Sequence, residues 1–577
     1  MSNMWLGLAW ALGLSVSFWL VWKGAWRLQL SMAKQPVAAG HAKMARLFSR
    51  WVPMYQLEGE QFFTADKPAD AVKLRRQQGF RRLADQLAQM HPNGQISEQA
   101  QAARELVSDV EFVSLYRVPF QYRNQIASSF KLPYGVSKTA GNTLWDAQGN
   151  AFMDLTGAYG CNVLGYDAYK GMIRDAVEKA DAIGPVLGPY SNAVVDNARR
   201  LCEISHMDEV SFHMSGTEAV MQAVRLAQYH TGKRKIVRFA GAYHGWWGEV
   251  QPGVGNPVGA RHTLTLKEMG EQSLRVLAHR RDVACVLVNP LQALHPNSNA
   301  PGDGSLLSAA SRKAGYDKVA YTQWLKRLRE VCNKKGIVLI FDEVFLGFRL
   351  ARGGAQAYFG VQADMVTYGK TLGGGLPVGV LCGKRAFMKR YKANQPANIC
   401  FARGTFNAHP YVMQSMNCFL NEIEKPHHDE MYRHIDEVWN ARAERLNAML
   451  SRASLPVQVR NMTSVWTILY TAPSRFHWMF QFYLITQGLM LGWVGSGRLI
   501  FSHTFSDADM DVFYGKFMDA ARRMKQDGWW DQGAQSTSDQ AIRNSLVREL
   551  MIAKWGRWLI KWPDAPSRRP WGRSTGL

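Results

Sequence analysis

The chain has 577 residues, 47% of them hydrophobic and 20% charged, a composition that excludes a disordered chain and leaves room for more than one domain around a large core. A formal net charge of +23 asks for an anionic partner, either nucleic acid or an acidic membrane surface. With no zinc-finger spacing and no aromatic RNA-binding signature, nucleic acid rests on charge alone and is not expected. Seven cysteines, odd in number and never in a CxxC pair, fit reduced buried thiols better than a disulfide framework, and no metal site is expected.

Met4 to Trp22 is an uncharged run, MWLGLAWALGLSVSFWLVW. A bilayer-spanning helix needs about 20 such residues. A cleaved signal peptide would carry a basic stretch ahead of the run, and none is present. A buried core helix is hard to reconcile with a run that starts at residue 4. The expectation is a transmembrane anchor helix with its basic flank over residues 1–34. Lys23, Arg27, Lys34, Lys43, Arg46 and Arg50 follow the span. By the positive-inside rule they keep the rest of the chain in the cytoplasm, as a single-pass membrane protein.

Residues 35–130 are polar and helix-compatible, with runs such as AVKLRRQQGFRRLADQLAQM, and carry no chemistry that can be read. They are expected to form a helical extension, either a linker or a collar. From about Leu132 the texture changes. SFHM, KIVRF, VACVLVNP, GIVLIFDEV and MVTYGK read as buried strands, with AVMQAVRLAQYH and YTQWLKRLREVCNKK as helices between them. That alternation predicts an α/β fold with a mostly parallel sheet covered on both faces. A basic, Trp-rich tail is expected over 516–577. Within it AIRNSLVRELMIAKWGRWLIKW (541–562) reads either as a helix lying in a headgroup layer or as one packed on the body with a solvated basic face. The last stretch, PDAPSRRPWGRSTGL, is expected to be disordered.

Three short segments carry chemistry. Ser215-Gly216-Thr217 follows a strand and opens a helix, where unpaired N–H groups receive phosphate; an ordinary N-cap explains it equally simply. Asp342 ends the apolar strand IVLIFD, at the sheet edge where α/β folds bind ligands, and is also a candidate turn cap. Lys370 follows another strand and precedes Gly373 to Gly375; it is either a surface lysine or an amine beside a cofactor aldehyde.

Order and spacing separate these alternatives. The blocks S-G-T-E-A (215–219), Y-H-G (243–245), F-D-E-V-x-x-G-F-R (341–349), G-G-A-Q-x-Y-F-G-V (353–361), G-K-x-x-G-G-G-L-P-V-G (369–379) and G-T-F-x-x-x-P (404–410) resemble the class-III aminotransferases, most closely the glutamate-1-semialdehyde 2,1-aminomutase branch. The resemblance runs from about Thr143 to about Asp511. It implies a fold type I pyridoxal-phosphate-dependent transferase over 131–515, with a large domain at about 190–410 and an α+β small domain from flanking segments. It implies pyridoxal 5'-phosphate bound to Lys370 as a Schiff base, Asp342 paired with the pyridinium nitrogen, Tyr243 stacked on the ring with His244 beside it, and Ser215, Gly216 and Thr217 at the phosphate. Thr405 would reach a phosphate of the neighbouring subunit, which implies a homodimer.

Some positions depart from the pattern. Asn289 stands where relatives carry an acid, Gln292 to Leu294 do not match, Trp246 and Trp247 follow Y-H-G, and Asn407-Ala408-His409 replaces a common Gly-Asn. The expectation is a membrane-anchored transaminase that takes an amino group from a donor and gives it to a hydrophobic aldehyde or ketone, such as a lipid or an acyl chain, with Trp246 and Trp247 at the substrate mouth. The alternatives are glutamate-1-semialdehyde aminomutase itself and a non-catalytic scaffold. Arg498 is a candidate for a donor carboxylate or for a structural salt bridge.

Overall fold

A computed structural model describes the chain except for residues 1, 35–41, 92–97, 111–116, 133–134, 252–255, 257–258, 298–315, 493–496, 532–537 and 560–577. Strands β1 (Lys138–Ala140), β2 (Thr143–Trp145) and β3 (Ala151–Asp154) form an antiparallel meander. The central sheet follows: β4 (Glu209–His213), β5 (Lys235–Phe239), β6 (Thr263–Leu266), β7 (Val283–Val288), β8 (Val338–Asp342), β9 (Met365–Gly369) and β10 (Gly379–Gly383). Their spatial order is β4-β10-β9-β8-β7-β5-β6. β10 is antiparallel to both its neighbours and the remaining pairs are parallel, so the expected mostly parallel sheet carries one reversed strand.

β7, β8, β9 and β10 are buried at every position. Both faces are covered, which is why these strands appear in the sequence as continuous apolar runs. β8 and β9 are parallel neighbours with Asp342 in register with Thr367. Asp342 and Lys370 therefore leave the sheet side by side at its carboxyl edge, where open α/β sheets hold ligands.

A hairpin of β11 (Tyr391–Lys392) and β12 (Gln395–Ile399) leads toward the small domain. There β13 (Val457–Met462), β14 (Val465–Tyr470) and β16 (Arg498–Ile500) form an antiparallel sheet, while β15 (Leu489–Met490) returns to pair with β3. Helix Asp507–Gln526 starts on a capping box between Ser506 and Asp509. The boundary expected at 516 falls inside this helix, because its apolar face continues through Phe517 and Met524, and Trp529 and Trp530 are buried just beyond it.

The extension 35–130 shares the core of the small domain. Phe62, Phe80, Leu83, Leu87, Tyr122 and Phe130 pack in one cluster with Trp466, Trp478, Phe513 and Trp529. Arg76, fully buried, pairs with Asp66 at 2.6 Å and donates to the Gly528 carbonyl at 2.9 Å. The outward faces of helix Asp70–Gln89 are polar, which hides its buried stripe from a composition-based reading.

The uncharged run lies within the N-terminal helix Ser2–Met32. Among the described residues no helix is long and apolar enough to cross a membrane, and the side chains of residues 1–12 lie outside the described ones. The C-terminal basic segment is helical over Asp539–Leu559, while Lys561 and the PDAPSRRPWGRSTGL stretch lie outside the described residues.

Candidate active site

Asp342 is almost completely buried at the end of β8. Its Oδ2 lies 2.8 Å from His244 Nδ1, and its Oδ1 accepts from Val344 N at 3.2 Å and Thr367 Oγ1 at 3.3 Å. Burial holds His244 below the ordinary histidine range, against the pull of Asp342. A neutral imidazole therefore donates Nδ1–H to the carboxylate, which can only accept. His244 Nε2 is buried with no hydrogen-bond partner among the described residues.

The preceding residue, Tyr243, leaves 63% of its surface exposed. Its loop is held from beneath: Asn289 Nδ2 donates to the Tyr243 carbonyl and Gln292 Nε2 to the Gly241 carbonyl, both at 2.9 Å. Asn289 and Gln292, two of the departures from the family pattern, are buried supports of this loop. Of the two tryptophans that follow, Trp246 is 74% exposed, whereas Trp247 packs against the apolar cluster of Val220, Val224 and Leu226.

Ser215 caps helix Gly216–Thr231: its Oγ accepts from Glu218 N at 3.2 Å, while Glu218 Oε2 accepts from Met214 N at 3.0 Å. The cap leaves the N–H groups of the first turn for an anion. A Cβ on Gly216 would stand 2.6 Å from Val344, and one on Gly245, where φ is +88°, would stand 2.4 Å from Thr217 Oγ1. Neither glycine has room for a side chain beside the helix start.

Lys370 stands just past β9 with φ of +50°. Its Nζ donates to the Tyr159 carbonyl and lies 4.8 Å from the Phe345 ring centre. Burial lowers its pKa; Cys161 and Asp342 oppose that, and Arg349 and Arg498 add to it. Arg349 is fully buried and bridges the domains, donating to Ser464 Oγ (2.8 Å), the Phe501 carbonyl (2.6 Å) and the Asn162 carbonyl (3.0 Å). Arg498, at the start of β16, has no acid against it among the described residues; its Nε, like that of Arg349, is buried without a partner there, and burial alone depresses its pKa to about 10. Arg117 also has a buried Nε without a partner among the described residues, and it interacts electrostatically with Tyr159, next to Lys370.

The structure thus brings Asp342, His244 and Lys370 to one sheet edge, with Arg498 in electrostatic reach of Lys370. Thr405 sits on an exposed loop next to Phe406, which is 52% exposed. Sequence reasoning missed Arg117, Tyr159 and Phe345. Phe345 and Arg349 lie inside the F-D-E-V-x-x-G-F-R block and could have been found there; nothing in the sequence near Arg117 marks it.

This sheet order, with a lysine beyond β9 beside an aspartate ending β8, defines a pyridoxal-phosphate-dependent transferase of fold type I. The profile of the aminotransferase class-III family matches residues 126–521, and the chain belongs to that family. It is 31% identical over 358 residues to a glutamate-1-semialdehyde 2,1-aminomutase of Desulfotalea psychrophila, spanning 59% of this chain and 76% of that protein. An aminomutase of the same name from Methanocaldococcus jannaschii is 31% identical over 357 residues, with the same shares. Among solved structures, the fold resembles a glutamate-1-semialdehyde aminomutase from Pseudomonas aeruginosa PAO1 (TM-score 0.62, 18% identity, 78% of this chain and 99% of that one). It also resembles an omega-transaminase from Sphaerobacter thermophilus (TM-score 0.58, 22% identity, 77% and 97%). The protein is an enzyme of this family and its cofactor is pyridoxal 5'-phosphate. The residues present fit that group: a buried acid, an exposed aromatic ring, a lysine and a helix start without room for side chains.

Proposed function

We propose that this enzyme is a membrane-tethered aminotransferase that takes an amino group from a carboxylate-bearing donor and passes it to a hydrophobic aldehyde or ketone. The single observation behind the donor is Arg498, a half-buried residue with its Nε enclosed, without a carboxylate partner among the described residues and within electrostatic reach of Lys370. A buried unpaired charge is costly, and a substrate carboxylate would relieve that cost. Arg117, beside Tyr159, is a second such group.

Bound pyridoxal phosphate supplies an aldehyde and an electron-withdrawing ring. Lys370 would be the amine that holds it and, when free, the base and acid that moves a substrate proton. Asp342, oriented by His244, would hold a proton on the ring nitrogen. Tyr243 would hold the ring, and the start of helix Gly216–Thr231, with Thr217, would receive the phosphate. Thr405 serves the site of a second subunit in a homodimer; the exposed Phe401 and Phe406 around it support a covered surface there.

The uncharged N-terminal run and the basic residues after it support an anchor with the catalytic body on the cytoplasmic side. The hydrophobic acceptor rests on this tether and on Trp246, solvent-facing three residues after Tyr243 in the chain. A donor screen followed by acceptor assays with long-chain and short-chain carbonyls tests both halves. Arg498→Leu is expected to raise KM for carboxylate donors ~10-fold or more, the value of a lost charge-assisted hydrogen bond. Preference for short acidic acceptors sinks the hydrophobic half; an unchanged donor KM sinks the role of Arg498.

The second reading is glutamate-1-semialdehyde aminomutase, favoured by the 31% identical relatives of that name. Its test is turnover of that substrate without any added amino donor. A non-catalytic scaffold would give no borohydride-trapped cofactor in the wild type, whereas the enzyme traps it and Lys370→Ala does not.

A further inference from the structure

Outside the catalytic fold, two segments distant in sequence assemble one apolar, basic surface. Helix Asp539–Leu559 lies beyond the family region, which ends at residue 521. One of its faces is docked: Glu549 pairs with the buried Arg475 at 2.5 Å and accepts from Tyr55 Oη at 3.0 Å, and Ile542 is buried. The opposite face carries Val547, Met551 and Trp555 one turn apart, with Ile552 beside them, and all four are at least 50% exposed. A body-packed helix has no use for such a stripe.

The stripe continues onto a second segment. Lys554 Nζ donates to the Trp51 carbonyl at 3.1 Å and lies 3.8 Å above the Trp51 ring. Trp51 is 59% exposed, and Phe48 and Met54 on either side of it are more exposed still. Arg50, Arg543 and Arg548 are exposed around these apolar groups. Apolar side chains with tryptophans, ringed by cations, complement an anionic lipid surface: the chains enter the headgroup boundary and the cations meet the phosphates.

We propose that the surface formed by Phe48, Trp51 and Met54 with Val547, Met551, Ile552 and Trp555 is a second bilayer contact, lying flat on an anionic leaflet. This rests on the membrane reading above and adds an orientation to it. The N-terminal helix does not leave the body on a free tether. Its end is clasped where Ala33 O accepts from Lys267 N at 2.8 Å, and Trp26 packs edge-on against His279. With one contact at this clasp and another at Trp51 and Trp555, the catalytic body is held in one attitude to the membrane.

The test uses the full-length holoenzyme reconstituted with phosphatidylglycerol–phosphatidylcholine vesicles or with phosphatidylcholine alone. An environment-sensitive fluorophore is attached through Met551→Cys, and the parent chain is labelled in parallel to subtract native cysteines. On anionic vesicles its emission is expected to shift to the blue and to be quenched by spin-labelled lipid. The doubly reversed Arg543→Glu/Arg548→Glu enzyme, still carrying its cofactor absorbance, is expected to lose ~10-fold or more of that engagement, since each cation near the surface contributes roughly 1 kcal/mol. If the enzyme floats with the vesicles while the label stays in water, this proposal fails and the anchor stands. If nothing floats, both fail. A dry label without lipid quenching, together with disulfide-linked dimers of the unlabelled Met551→Cys enzyme on mild oxidation, means that a second copy covers the face, which also overturns the proposal.

Discussion

Lys370 works through its surroundings. Its amine must be neutral to join an aldehyde, and burial, reinforced by Arg349 and Arg498, lowers its pKa while Cys161 and Asp342 pull the other way. Recombination of the cofactor-free enzyme with pyridoxal phosphate, followed by absorbance, is expected to reach its maximal rate below the ordinary lysine range. Arg498→Leu removes a cation and is expected to move that profile to higher pH; a profile matching free lysine in both enzymes contradicts this. Gly245 is the second residue-scale test. At φ +88° and 2.4 Å from Thr217 Oγ1, a Cβ both strains the backbone and displaces the threonine. Gly245→Ala is expected to cost about 1–3 kcal/mol of stability and to weaken cofactor affinity, measured by equilibrium dialysis. The proposed cofactor residues could be singled out in sequence because each belongs to a block that resembles the family's. In sequence Asn289 and Gln292 look like substrate-side departures, yet their hydrogen bonds go to the backbone of the Tyr243 loop.

Among elements, the join between the two domains depends on Arg349. Its guanidinium satisfies Ser464, Phe501 and Asn162 from inside the core, without a carboxylate among those partners, and its pKa is depressed to about 10 by burial. Arg349→Met fills similar volume but leaves those acceptors unpaired. The expected loss is roughly 2–4 kcal/mol, visible as an earlier denaturation midpoint, with a raised donor KM as β16 loosens. An unchanged midpoint would mean that water replaces the guanidinium. The strands of the central sheet were legible because burial on both faces makes each one a plain apolar run. The extension was not, because helix Asp70–Gln89 buries only a stripe, and its partners, such as Trp478 and Trp529, lie about four hundred residues away.

For the whole molecule, buried titratable groups set opposing pH responses. His213 and His503 are depressed by burial to about 4 and about 3. The unfolded chain binds their protons first, so stability falls as pH drops from the ordinary histidine range through those values. Glu268 and Glu343 are raised by burial to about 8. Their contribution is fully present below the ordinary glutamate pKa and is lost as pH rises through about 8. Glu268 accepts from Tyr321 Oη at 2.7 Å, and its other oxygen is buried without a partner among the described residues. Glu268→Gln keeps the acceptor and removes the ionisation. It is expected to be near neutral at pH 5 and stabilising at pH 9 in urea melts; equal effects at both pH values would contradict the buried-acid account.

By itself the sequence determined the α/β class, through strand periodicity, and its ordered blocks, through their resemblance to class-III aminotransferases, implied the cofactor and singled out Lys370, Asp342, Tyr243 and Thr217 as the residues to hold it. Tertiary structure decided what depends on contacts between distant segments: that the extension belongs to the small-domain core, that Trp247 packs inward while Trp246 faces solvent, and that Arg498 and Arg117 pair with no acid among the described residues. It also decided that Trp51 and Trp555 share one surface. Side-chain burial and charge pairing are properties of the packed chain, and no window of sequence contains both partners.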